Sequence, residues 1–128
     1  MAKEFVAWYA DKQKDYPNWE ADRAYFALAS YKAAVEAAAK AKGSAWPSND
    51  DVIDAMVGLS VESLGGKGSW RKVHIADQTF VQGFSTHANK YDFVTLDPKR
   101  IETMYSADLQ KPAGANFWEW LKTAQFKV

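Results

Sequence analysis

The chain of 128 residues contains no cysteine, which excludes disulfide bonds, thiolate metal ligands and a cysteine nucleophile. Its formal net charge is zero at pH 7, with 16 basic and 16 acidic residues, so the positive charge typical of nucleic-acid-binding proteins is absent. No apolar run approaches the ~20 residues that a membrane-spanning helix needs, and no secretory signal pattern opens the sequence. The sequence therefore predicts neither nucleic-acid binding nor membrane insertion.

Aromatic residues, in contrast, are abundant. There are six tryptophans, six tyrosines and seven phenylalanines, together 15% of the chain. Such a content indicates either an aromatic core or rings that line a pocket or an interface. The length predicts a single domain that is large enough to bury a core of its own.

The most informative stretch is an alanine-rich segment at residues 18–43, which predicts a long central helix. Asn18 is suited to cap its start, and Gly43 is suited to the left-handed position just after its end. An apolar stripe at helical spacing is expected to face the core, and it consists of Tyr25, Leu28, Tyr31, Val35 and Ala38. Because the opposite side is also largely apolar, the helix is expected to be buried and packed on a sheet.

The remaining pattern predicts two more helices before residue 60, at residues 3–13 and, capped by Ser48 with Asp51, at residues 48–57. Beyond residue 60 the helical period ends, and a glycine-rich turn at 64–69 leads into β-rich sequence. Three short strands are predicted, at residues 78–84, 90–96 and 101–105, the first two joined by a turn at 87–89. A closing helix is predicted at residues 116–124. The predicted fold is α+β, with three N-terminal helices, then antiparallel strands and a short C-terminal helix.

Several motifs occur in an order that is also found in a known family. They are an alanine-rich helix that opens on a tyrosine and ends in glycine and serine at residues 24–44, a short helix at 49–56, a glycine turn at 65–71 with His74 and Gln78 behind it, and a tail with residues 111–114 and 118–120. In this order they resemble the last third of periplasmic solute-binding proteins of the branched-chain amino-acid-binding type, which serve ATP-driven importers. The resemblance covers residues 5–125.

The resemblance implies a non-catalytic module for a small polar solute, such as an amino acid or an amide, with no cofactor. Members of that family are more than twice as long and have two lobes, so the chain resembles a C-terminal portion that stands alone. The resemblance implies a periplasmic location, whereas a stand-alone reading frame would be cytoplasmic. Because such a portion leaves sheet edges and apolar faces uncovered, we expect a homodimer, with contacts through the strands of residues 78–96 or through the aromatic tail.

A candidate ligand-binding cluster lies where the long helix begins. It combines charged and aromatic side chains, namely Trp19, Glu20, Asp22, Arg23 and Tyr25. The helix dipole favours an anionic ligand group there, and in the resembling family this end lies near the cleft between the lobes. The alternative is a capping arrangement with an ion pair at the surface.

An enzymatic alternative rests on the only two histidines. His74 and His87 lie near Asp77 and Asp92 in sequence, and a His–Asp pair enclosed by an α+β cone fold would serve an isomerase or dehydratase as acid and base. Burial of the histidines distinguishes this hypothesis from the solute-binding one. The histidine spacing fits no recognised zinc site, and the glycine turn lacks the spacing of a phosphate-binding loop.

Overall fold

The computed structural model describes residues 1–125. Within this range the chain forms four α-helices, five β-strands and one 3-10 helix. Their bounds are α1 Ala2–Gln13, α2 Trp19–Ala41, α3 Asn49–Met56, β1 Ser60–Ser63, β2 Gly66–Trp70, β3 Ala76–Asp77, β4 Thr79–Thr86, β5 Thr95–Tyr105, the 3-10 helix Ser106–Leu109 and α4 Phe117–Thr123. The predicted α+β class is confirmed, with its three N-terminal helices, antiparallel strands and short C-terminal helix.

The elements group into two compact units. The first unit, Met1–Gln78, holds α1 to α3 and an antiparallel sheet in the order β1-β2-β3. The second unit begins at Thr79 and holds the antiparallel β4–β5 hairpin, the 3-10 helix and α4. The sequence length predicted a single domain, and the grouping into two compact units does not decide that prediction.

The ends of α2 follow the predicted caps. The side chain of Asn18 accepts a hydrogen bond from the backbone N–H of Ala21 at 3.2 Å. At the other end Gly43 has φ 66°, and the N–H of Ser44 donates to the carbonyl of Ala39 at 2.8 Å. This pattern is a Schellman motif, in which glycine adopts the left-handed conformation that other residues disfavour. Both cap predictions are confirmed.

The buried face of α2 differs from the predicted stripe. Its buried residues recur every four positions and are Phe26, Ser30, Ala34 and Ala38. The prediction was wrong for Leu28 and Tyr31, which are 70% and 56% exposed. Because α2 carries apolar residues on several sides, its sequence does not select one face, and contacts with the rest of the chain make the choice.

Contacts with Trp70 on β2 select the buried face. Its indole N–H donates to the hydroxyl of Ser30 at 2.9 Å, and its ring stacks on Phe26 with centroids 5.6 Å apart. Gly68 allows this approach, because a Cβ atom there would lie 2.5 Å from the Phe26 ring. Helix α2 therefore packs on the first sheet, as predicted, with a polar contact at its centre.

The β4–β5 hairpin confirms one strand prediction and corrects another. Strand β4 was predicted within two residues, but residues 90–94 form a loop, and β5 begins only at Thr95. The loop is closed by Asn89, whose side-chain amide donates to the carbonyls of Thr86 and Phe93 at 3.2 and 3.1 Å. These local bonds compete with strand formation, which explains why an alternating pattern gave no strand there.

No helix in the described part of the chain has the length and apolarity to cross a membrane.

The first prediction tests the buried face of α2. We expect Phe26→Ala to lower the free energy of unfolding by about 3–5 kcal/mol, because it removes a buried ring that stacks on Trp70. The matched control is Leu28→Ala, on the same helix but exposed, for which we expect a change within about 0.5 kcal/mol. Urea unfolding followed by tryptophan fluorescence measures both, and equal losses would contradict the assigned face.

An acidic residue at the start of α3 links that helix to the end of α2. Asp51 forms a capping box with Ser48 and an ion pair with Lys42. The Lys42 ammonium, followed by the hydroxyl and backbone N–H of Ser48, lowers the pKa of Asp51 from 3.8 to about 2. Because the folded-state pKa is the lower one, the stabilisation is present above the unfolded value and is lost as the pH falls through the folded one.

The second prediction follows from this shift. Between about pH 4 and pH 2 the stability of the wild-type chain should fall, and Asp51→Asn should make this fall shallower. The control is Asp50→Asn, which removes a neighbouring exposed carboxylate but leaves the capping box intact. Urea midpoints across this pH range measure the slopes, and identical slopes for wild type and Asp51→Asn would refute the assignment.

Candidate functional site

The first unit contains a cleft of about 320 Å³ beside the N-terminal end of α2. Its lining comes from three separate parts of the chain: the start of α1, the first turn of α2 with the residues before it, and the turn between β1 and β2. These lining residues are Ala2, Phe5, Val6, Pro17, Asn18, Asp22, Leu64 and Gly65. The walls are mainly apolar, and Asp22 is the charged side chain among them.

Aromatic contacts hold α1 against α2 at this point. The ring of Phe5 meets the ring of Tyr25 edge-on, with centroids 5.8 Å apart. The hydroxyl of Tyr25 donates to the Sδ atom of Met1 at 3.1 Å. Since Phe5 also lines the cleft, these contacts fix one wall of the cleft relative to the start of α2.

Asp22 joins the helix to the glycine turn. Its Oδ1 atom accepts hydrogen bonds from the hydroxyl of Ser63 at 3.1 Å and from the backbone N–H of Gly65 at 3.0 Å. Its Oδ2 atom has no hydrogen-bond partner among residues 1–125, so it remains an acceptor. One carboxylate therefore satisfies two donors of the fold with a single oxygen atom.

The sequence led us to expect an anionic ligand group at this end of α2, but the carboxylate of Asp22 makes the cleft negatively charged. Asn18 already accepts the N–H of Ala21 in the first turn of α2, and Asp22 adds negative charge beside it. A carboxylate next to apolar walls attracts an ammonium or a neutral N–H donor and repels an anion. The arrangement therefore suits a solute with an N–H donor at one end and a short apolar part.

The structure brings only some of the predicted ligand-binding residues to the cleft. Asp22 lines it directly, and the half-buried Tyr25 contacts it through Phe5. The others are exposed and do not line it: Trp19, Glu20 and Arg23. Sequence reasoning did not assign Phe5, Leu64 or Gly65 to this site, although the aromatic face of α1 and the glycine turn were both visible. Nothing in the spacing shows that segments separated by some forty residues meet.

Both histidines lie on exposed turns. His74 follows β2 with a left-handed φ of 60°, and His87 follows β4. Asp77 is buried, but its carboxylate accepts a hydrogen bond from the Arg71 guanidinium at 2.6 Å. The enclosed acid–base pair that the cone-fold hypothesis requires is therefore not formed by these residues. In the described part of the chain, no three acidic or histidine side chains are grouped as a metal site.

In comparisons with protein-family models, with curated proteins and with solved structures, nothing matches this chain. The fold and the cleft are therefore the physical basis for an assignment of function. The likeness to periplasmic solute-binding proteins stays a prediction from the ordered motifs of the sequence.

The third prediction tests the structural role of Asp22. We expect Asp22→Ala to lower the free energy of unfolding by about 1–3 kcal/mol, because the donors of Ser63 and Gly65 lose their acceptor. Asp22→Asn keeps an oxygen acceptor without the charge, so it should cost clearly less. Urea unfolding measures both variants, and equal losses would show that Oδ1 is not a structural acceptor.

Proposed function

We propose that this chain is a non-catalytic solute-binding-type module that holds a small polar solute, such as an amino acid or an amide, beside Asp22. The observation that carries the proposal is a carboxylate oxygen without a partner among the described residues, in a mainly apolar cleft. The ordered motifs support a relation to the amino-acid- and amide-binding proteins of ATP-driven importers. That relation also implies a periplasmic location.

The size of the cleft favours a small ligand. Its volume of about 320 Å³ lies at the lower end of the range, roughly 300–1,000 Å³, that small-molecule sites occupy. A free amino acid or a short amide fits this volume. Ligand size and the acidic anchor thus point to the same class of solute.

The polar contact gives the ligand an orientation. An ammonium or amide N–H donates to Oδ2 of Asp22, and a hydrogen bond to a charged group contributes about 1.5–3 kcal/mol. The aliphatic part of the solute lies against Phe5, Val6 and Leu64, where burial of apolar area adds to the affinity. Binding of this kind needs neither a cofactor nor a covalent step.

The fourth prediction tests the ligand class and its anchor. Isothermal titration of the purified chain against amino acids, small amides and dicarboxylates should show binding of N–H donors and none of dicarboxylates. Asp22→Asn should weaken binding of an ammonium solute by about tenfold or more, because the charge-assisted hydrogen bond is lost.

The matched control is Glu20→Gln, which removes one negative charge from the same helical turn outside the cleft. It should leave the affinity within a factor of about two, because Glu20 is exposed and does not line the cleft, and a solvated surface charge contributes little. Absence of binding across the whole panel would refute the proposed function. An equal loss in both variants would refute the role of Asp22.

A further inference from the structure

The outer edge of β4 is open. Strand β4 pairs with β5 from Thr79 to Thr86, and among residues 1–125 no strand pairs with its other edge. An open edge presents a row of backbone donors and acceptors that can pair with another strand. In β4 this row extends over eight residues.

The two strands of the hairpin differ in how their edges are protected. On β5, the paired residues Leu96 and Ile101 are separated by four residues, 97–100. On β4, their partners Ser85 and Gly83 are separated by Phe84 alone. This bulge carries Pro98, Lys99 and Arg100, and proteins use bulges, prolines and lysines to block strand edges. The other strand has none of these devices, because β4 has no proline and no charged residue.

The bulge on β5 is held by local contacts of its own. Asp97 accepts hydrogen bonds from the backbone N–H of Lys99 at 3.0 Å and from Arg100 Nε at 2.9 Å, and both lower the pKa of its carboxyl. The guanidinium of Arg100 lies 4.6 Å from the ring centre of Phe84. The irregular edge is therefore a built feature of β5, and the regular edge of β4 is the one suited to pairing.

Exposed apolar side chains on β4 also favour pairing with a partner. An isolated two-stranded hairpin is marginally stable in water, and Phe80, Val81 and Phe84 of β4 are all exposed.

We propose that the open edge of β4 pairs antiparallel with β4 of a second copy of this chain. The two hairpins then form one four-stranded sheet in the order β5-β4-β4-β5 about a two-fold axis. This pairing gives the homodimer expected from the sequence a defined interface. It is independent of the cleft beside Asp22, which lies in the other unit.

The sequence of β4 suits pairing with itself. An antiparallel two-fold pairing centred on Gln82 places Phe80 opposite Phe84 of the second copy, so that the two rings form a favourable cross-strand pair. Because β4 has no charged residue, no like charges face each other across the axis. The zero net charge of the chain also removes long-range repulsion between copies.

The absence of cysteine permits a direct test by cross-linking. In the proposed dimer, residue 82 faces its own copy at about 4.5–5.5 Å between Cα atoms, which is within disulfide range. Gln82→Cys should therefore give a disulfide-linked dimer under mild oxidation. The matched control is Glu102→Cys, because Glu102 accepts the side-chain hydrogen bond of Gln82 and both variants lose that bond. Residue 102 lies about 14 Å from its own copy, three strand spacings away, and should not cross-link.

Sedimentation of the wild-type chain at micromolar concentration should give twice the mass of 14.4 kDa. Amide hydrogen exchange of the wild type should show β4 amides that gain protection as the protein concentration rises, a result that does not depend on any variant. A monomer, or β4 exchange that is independent of concentration, would overturn the proposal. So would a dimer in which Glu102→Cys cross-links as readily as Gln82→Cys. A failure to bind solutes would leave this inference intact.

Discussion

The first unit depends on the contact between Trp70 and α2. The indole N–H donates to a serine hydroxyl that is completely buried, and the ring stacks on Phe26 one turn earlier. A buried donor without an acceptor costs more than a mismatched apolar contact, so this hydrogen bond fixes the rotation of α2 about its axis.

The same rotation positions the cleft. Asp22 lies four residues before Phe26, and Ser30, Ala34 and Ala38 continue the row at the same spacing. Residues four apart share one face of a helix, so this row begins with a carboxylate, continues with Phe26 and Ser30 against Trp70, and ends with two alanines that pack against α3. Asp22 therefore reaches the turn between β1 and β2, where Ser63 and Gly65 donate to it. Packing at the centre of the helix and the polar anchor at its end have a single cause.

Local signals in the sequence predicted local structure well. Asn18, Gly43 and Ser48 marked helix ends correctly because a cap depends on neighbouring residues alone. The buried stripe was wrong at Leu28 and Tyr31, although right at Ala38. Leu28 and Phe26 are similarly apolar, and only Trp70, some forty residues later, distinguishes them. The loop at residues 90–94 was missed for a related reason, since an alternating pattern does not show that Asn89 bonds to two backbone carbonyls. Of the predicted ligand-binding residues only Asp22 lines the cleft, because most of the other walls come from distant segments.

On the proposed function, Asp22 links ligand binding to the stability of the first unit. Its Oδ1 atom holds the glycine turn on α2, and on the proposed function its Oδ2 atom holds the ligand. In the unfolded chain the three lining segments separate, so a ligand that needs all of them binds only the folded unit. Binding then adds RT ln(1 + [L]/Kd) to the stability of that unit, about 2.7 kcal/mol at a hundredfold excess over Kd. A solute would thus tighten the same junction that forms its site, and the β4–β5 hairpin, in a separate unit, would gain none of this stabilisation directly.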